Sequence, residues 1–449
     1  MEKLLVRDRH FYKTVLTLAL PIVLQNMITI GVNIMDTVML GSYGEIQLSG
    51  SSLANEFINI FHILCMGMGG GAAVLTAQFW GRKDMASLKH AITIMLRICL
   101  MLAALFTVVT VACPSFIMSI FTNDTAVINK GCIYFMWSAP TYLLMGVSLT
   151  LTLVLRSMRK VMVPLVTSII CFFVNIFFNW VFIFGHLGAP EMQIAGAALG
   201  TLIARVVETA IIGAYVFRVD KSIGYRIRDL FGSCGGLLPH YLKYSIPVLV
   251  SDGMLALGNS MVSVIMGHIS TEFVAANAII ATIVRLSTVF TQGLGQASST
   301  MTGNTLGRGE RERAYREGVT FVTLSFIIGI FAAAVILALS PFIIGMYNIE
   351  DYTRQIAFQL MYAVGIMVIF QSSQSVLTKG VLRGGGDTRF LMFADVTFLW
   401  LASIPLGALC GLVLNVNPFI IYIALKIDWA IKTFICIYRL KTKKWIRIV

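Results

Sequence analysis

The stretch Phe321-Val-Thr-Leu-Ser-Phe-Ile-Ile-Gly-Ile-Phe-Ala-Ala-Ala-Val-Ile-Leu-Ala-Leu-Ser-Pro341 decides the fold class. It contains no Asp, Glu, Lys or Arg, and about 20 such residues in helical form cross the hydrocarbon core of a bilayer. Ile92–Pro114 is a second run of this kind, with Arg97 its one charge. The whole chain follows the pattern: 57% of its residues are hydrophobic and only 12% charged, against about a quarter charged in a soluble domain. Too few polar residues remain to cover a water-facing surface. Lipid is the solvent that suits this composition, and in lipid the backbone must bond to itself, as helices or as a closed barrel. Barrel strands alternate apolar and polar residues, and these runs do not. The chain therefore reads as an all-α polytopic membrane protein.

Working outward, twelve helices are predicted, at 15–40, 50–79, 91–113, 132–154, 163–184, 194–217, 241–266, 273–303, 317–339, 356–381, 390–412 and 419–438. The net charge of +13 could suggest a nucleic-acid partner, but its placement argues otherwise. Alternate loops collect the cations, among them Arg82, Lys83 and Lys89; Arg156, Arg159 and Lys160; Arg218, Lys221, Arg226 and Arg228; and Lys441, Lys443 and Lys444. The opposite loops offer only Lys130 and Arg354. Cytoplasmic loops carry such an excess, so both termini are expected in the cytoplasm. The apolar run after Met1–Lys13 leads into further helices, which does not suggest a cleaved leader. The eight cysteines have neither metal nor redox spacing and read as small packing residues.

The chain also repeats itself. Shifted by 226 residues, Pro21 falls on Pro247, Asn33 on Asn259, Gly67 on Gly293, and Gly81-Arg82 on Gly307-Arg308. One residue further along, Val154-Leu155-Arg156 meets Val381-Leu382-Arg383. An even number of helices per repeat makes the halves parallel, with a substrate path expected between them. The expected organisation is a six-helix bundle over 1–217, a basic linker over 218–240 and a second bundle over 241–449.

These segments resemble the MATE family of multidrug and toxic compound extrusion transporters. The resemblance runs through Leu20-Pro-Ile and Asn33-Ile-Met-Asp-Thr-Val-Met-Leu-Gly41 in helix 1. It continues in Gly69-Gly-Gly-Ala-Ala-Val-Leu-Thr-Ala-Gln-Phe-Trp-Gly-Arg-Lys-Asp84 and Ile194-Ala-Gly-Ala-Ala-Leu-Gly-Thr201. It ends in Leu382-Arg-Gly-Gly-Gly-Asp-Thr-Arg-Phe390. It covers nearly the whole chain and implies export of bulky, often cationic or amphipathic organic compounds. Entry of Na+ or H+ would drive that export, with alternating access between two bundles and no further cofactor. A bacterial cytoplasmic membrane and a monomer are expected.

A carboxylate inside a bilayer is costly and marks a functional position. Asp36 in helix 1, near Asn33, matches a helix 1 aspartate that serves as an ion site in some family members. Asn175 and Asn179 lie four apart on helix 5 and match an Asn…Asp pair; the second position here is an amide, which can coordinate Na+ but cannot titrate. Thr201 could add a hydroxyl. Asp36, Asn175 and Asn179 are thus the candidate Na+ ligands. Asp252 in helix 7 is a further candidate for ion coupling, with a salt bridge to Arg285 as its structural alternative. Glu56, Arg285 and the uncharged Gln371, Ser373 and Gln374 of helix 10 are candidates for the substrate path. Arg205 with Glu208, and Asp428 with Lys432, are expected as structural ion pairs. Lys379, Arg97 and Asp395 are expected to reach the cytoplasmic interface. Helix 1 is expected to flex at Pro21.

Two other readings stay open: a flippase of lipid-linked oligosaccharides, and an exporter of one metabolite. An enzyme is not expected, since no metal set or nucleotide loop is present.

Overall fold

The computed structural model of the chain describes residues 5–345 and 349–448, which form helices and no strand. In chain order the helices are α1 (Arg9–Gly41), α2 (Glu45–Gly81), α3 (Met85–Ala112), α4 (Pro114–Phe121), α5 (Thr125–Ser138), α6 (Thr141–Ser157), α7 (Met162–Phe184) and α8 (Ile194–Ala214). The second series is α9 (Leu238–Ile269), α10 (Thr271–Gly307), α11 (Arg311–Gly345), α12 (Asp351–Val376), α13 (Leu382–Gly384), α14 (Thr388–Phe398), α15 (Ile404–Ala408), α16 (Pro418–Leu425) and α17 (Ile427–Lys441).

Among the described residues nine helices are long and apolar enough to cross a membrane, and two bent pairs raise this to eleven. The pair α5 and α6 bends by 57°. Pro140 caps α6, and a proline that lacks an N–H breaks the ladder there. The predicted helix over 132–154 is therefore two shorter helices in one span. The twelfth predicted span, 419–438, is α16 and α17, divided at Lys426, which leaves helical geometry (φ −121°, ψ 13°). Neither piece alone is long enough to cross a membrane: α16 has 8 residues and α17 has 15. Two π turns, Leu399–Ser403 and Leu409–Val413, flank α15 with its Pro405. The short α4 was not anticipated from the sequence.

The chain divides into two compact units. One comprises Leu24–Thr76 and Asp84–Leu242; the other comprises the chain up to Val23, Ala77–Lys83 and the chain from Lys243 onward. The first unit packs around Phe61, Cys99 and Tyr142, and around Met118, Phe135 and Ile183. The linker belongs to it: Arg97 donates to the carbonyls of Leu230 at 2.8 Å and Gly232 at 2.6 Å. Arg97 thus meets the basic linker, toward which it was expected to reach. The second unit packs around Phe273, Ile336, Leu360 and Tyr422. Ile330, Phe331 and Phe342 of α11 point outward, as lipid-facing side chains should.

Within the second unit, the ends of α2 and α10 cross closely. A Cβ on Gly81 would stand 2.2 Å from the Asn304 carbonyl oxygen, and one on Gly307 would stand 2.1 Å from that of Gln78. Both positions need glycine for close backbone approach. The contact is reciprocal, because Gly81 and Gln78 each lie 226 residues before Gly307 and Asn304. The turns that follow match too. Lys83 and Gly309 take left-handed φ of 61° and 82°, and Lys83 N and Gly309 N donate to the carbonyls of Trp80 and Leu306. The internal repeat is thus a repeat of backbone hydrogen bonding.

Candidate functional site

In the first unit, α7 brings Asn175 and Asn179 onto one face, since residues four apart on a helix are neighbours. Both are buried. Asn179 Nδ2 donates to Asp36 Oδ1 at 2.6 Å and to Asn175 Oδ1 at 3.3 Å. Asn175 Nδ2 donates to Thr201 Oγ1 at 3.4 Å. Four of the predicted residues, from α1, α7 and α8, therefore form one chain of hydrogen bonds. Asn33 does not join it: its side chain is exposed, and among the described residues no hydrogen bond links it to Asp36. Its place on α1, three residues from Asp36, was no guide to where its amide would point.

The donors and acceptors of this chain are unbalanced. Asn179 uses its amide nitrogen twice, and its Oδ1 is buried without a donor among the described residues. A Cβ on Gly200 would stand 2.1 Å from that oxygen, so the glycine of α8 is what gives the carbonyl its space. A buried carbonyl with no donor is costly, and hard cations take oxygen ligands. Asp36 is the one member of the chain that can titrate. Its oxygens, those of the two amides and the Thr201 hydroxyl are the groups able to hold Na+; a proton would reside on Asp36 alone. Tyr134, unforeseen from the sequence, donates to Asn55 Oδ1 at 3.3 Å and lies within electrostatic reach of Asp36.

Arg205 and Glu208 form the expected pair, at 2.6 Å. The second unit handles its acids differently. Arg383 Nη2 donates to Asp252 Oδ1 at 3.2 Å, so the partner of Asp252 is Arg383 and not Arg285, which is exposed. Lys432 lies 2.9 Å from Asp428, as expected, and also 3.3 Å from Asp395. Ser251 and Ser403 hydroxyls donate to Asp395 and Asp428 at 2.7 and 2.8 Å. Asp395 was expected at the interface, but it is buried. Its position near a predicted helix end concealed that Ser251 of α9 and Lys432 of α17 converge on it.

Of the substrate-path candidates, Glu56 is exposed and Gln371 half-buried. Ser373 is fully buried and donates to its own helix at Ile369 O. Gln374 is buried too, and Thr378 donates to its carbonyl. Neither of these two presents itself to an open surface. Lys379 is exposed. Among the described residues no group of three or more His, Cys, Asp or Glu could hold a metal ion.

The family model MatE matches residues 21–181 and 247–409, one match in each repeat. The chain is 24% identical over 414 residues to the "Multidrug resistance protein MdtK" of Edwardsiella ictaluri, covering 90% of this chain and 89% of that one. It is 23% identical over 413 residues to the "Probable multidrug resistance protein NorM" of Thermotoga maritima, covering 88% and 84%. Among solved structures, "Crystal structure of MATE in the bent conformation" superposes with a TM-score of 0.86 at 16% identity, over 97% of this chain and 96% of that one. A MOP superfamily transporter from Pyrococcus furiosus, whose binding pocket is described as reversed in polarity, superposes at 0.85 and 15% identity, over 96% of each. The two-bundle fold of about twelve helices is shared with these structures. With its repeat matched half by half, the chain belongs to the MatE family, and it is a multi-pass membrane transporter rather than an enzyme.

Proposed function

We propose that this transporter exports bulky organic compounds, often cationic or amphipathic, in exchange for a Na+ ion or a proton carried at Asp36. The observation that carries the reading is the chain Asp36–Asn179–Asn175–Thr201, with its buried carbonyl at Asn179. Its hydrogen bonds to the carboxylate come from a neutral amide, so charge can enter and leave without breaking an ion pair. The names of the multidrug relatives support the substrate class, and the basic loops support cytoplasmic termini. Alternating access between the halves is the cycle this implies.

The test is efflux of ethidium from proteoliposomes under a Na+ gradient or a pH gradient, imposed separately, for the natural chain and Asp36→Asn. Efflux under one gradient, lost in the variant, is expected. Efflux that survives in Asp36→Asn would move the ion elsewhere. No efflux of ethidium under either gradient would favour the narrow-substrate exporter or the lipid flippase.

A further inference from the structure

The fourth span of each half ends on an arginine that reaches back to the first helix of the same half. In the first unit, Arg156 Nη2 donates to Gln25 Oε1 at 2.5 Å. In the second, Arg383 Nη2 donates to Asp252 Oδ1 at 3.2 Å. The two arginines lie 227 residues apart, and so does the backbone bonding around them. Met158 N donates to Val154 O and Gly385 N to Val381 O; Lys160 N donates to Leu155 O and Asp387 N to Leu382 O. Arg159 and Gly386 both adopt left-handed φ, at 65° and 85°. The acceptors are near-equivalent, Gln25 four residues after Pro21 and Asp252 five after Pro247. The halves differ in what leads to the arginine. In the first it ends a regular α6, whereas in the second a π turn over Leu377–Val381 precedes it. Such turns re-aim the residues that follow.

We infer that Arg156 and Arg383 are equivalent positioning residues, each clasping the first helix of its own half just beyond that helix's proline, and that Asp252 is the counter-charge of this clasp and not a second ion-exchanging carboxylate. A guanidinium keeps its charge at any physiological pH. A proton or Na+ on Asp252 would have to displace Arg383 or sit beside it against like-charge repulsion. The first half makes the same clasp with a neutral amide, so the clasp itself does not require a carboxylate. Arg156 and Arg383 hold the first helices in register, and ion exchange is left to Asp36.

The experiment uses the full chain in proteoliposomes and separates ion affinity from turnover. Asp252→Gln copies the first-half clasp into the second. It is expected to leave the half-saturating concentration of the driving ion unchanged. Arg383→Met, which removes a charge-assisted hydrogen bond, is expected to lower the maximal rate about tenfold at the same ion affinity. The pair Asp252→Arg with Arg383→Asp is expected to recover part of the rate lost in Arg383→Asp alone. A weakened ion dependence in Asp252→Gln would overturn the inference, as would an unchanged rate in Arg383→Met. If the natural chain moves no ethidium, the multidrug reading fails by itself. The clasp is then read from double-mutant cycles of thermal stability. Coupling within Gln25–Arg156 and within Asp252–Arg383 supports it, and additivity in both pairs contradicts it.

Discussion

Asp36 and the acids of the second unit sit at opposite ends of a range. Asp36 is half-buried and its hydrogen-bonded neighbours are amides and a hydroxyl. Asp252 is clasped by Arg383, while Asp395 and Asp428 share Lys432 at 2–4% side-chain exposure. A carboxylate neutralised by a fixed cation has little reason to take up another ion. A carboxylate hydrogen-bonded only to neutral donors can take up an ion without breaking an ion pair. The difference teaches that, inside a bilayer, what surrounds an acid says more about its role than its depth does.

Four substitutions break or sharpen this comparison, beginning with the largest effect. Asp36→Asn is expected to abolish ion-driven ethidium efflux outright, read as loss of gradient dependence in proteoliposomes. Lys432→Met leaves two buried carboxylates without their cation, at a cost of about 3–5 kcal/mol. Its thermal midpoint should fall steeply, and adding Asp395→Asn should recover part of the loss. Equal stability of Lys432→Met and the natural chain would show that the second unit does not depend on compensated charge. Gly200→Ala forces a methyl onto Asn179 Oδ1, and overpacking of this kind costs about 1–3 kcal/mol. Transport should drop with stability, whereas Gly253→Ala, with nothing within 4 Å, should change neither.

The smallest effect lies outside the membrane. Asp220 accepts from Lys160 at 2.6 Å and from the Ser222 backbone at 2.9 Å. Burial pushes its carboxyl up, but these bonds outweigh it and hold the carboxyl below its usual value. A carboxyl depressed in the folded state stabilises above its unfolded pKa, and the gain disappears as pH falls through the folded one. Asp220→Asn should therefore cost about 1 kcal/mol at neutral pH. The gap between variant and natural chain should close as pH drops below about 4, measured by hydrogen exchange in the linker. A gap that persists in acid would contradict that account.

Much of this was legible in the sequence because lipid leaves a coarse signature. Apolar runs gave the spans, and the 226-residue shift paired Gly81 with Gly307, although not the crossing that the two make. The candidate site was legible only through the resemblance, since nothing in the spacing of Asp36, Asn179 and Thr201 brings three helices together. Polar contacts across the fold were not legible. Arg156 read as a loop charge, yet it and Arg383 both turn inward to a first helix. Asp395 read as interfacial, although it meets Lys432 from 37 positions away. A long side chain near a helix end can snorkel or fold back, and only the packing around it decides which.

The central claim is that one carboxylate, Asp36, carries the driving ion. The most direct measurement is the coupling ratio, found by locating the ion gradient at which net ethidium flux vanishes in proteoliposomes held at zero membrane potential. With one ion per cycle, a tenfold ion gradient of about 1.4 kcal/mol balances a tenfold ethidium gradient. A balance near a hundredfold ethidium gradient would mean two ions per cycle, and would contradict the assignment of exchange to Asp36 alone.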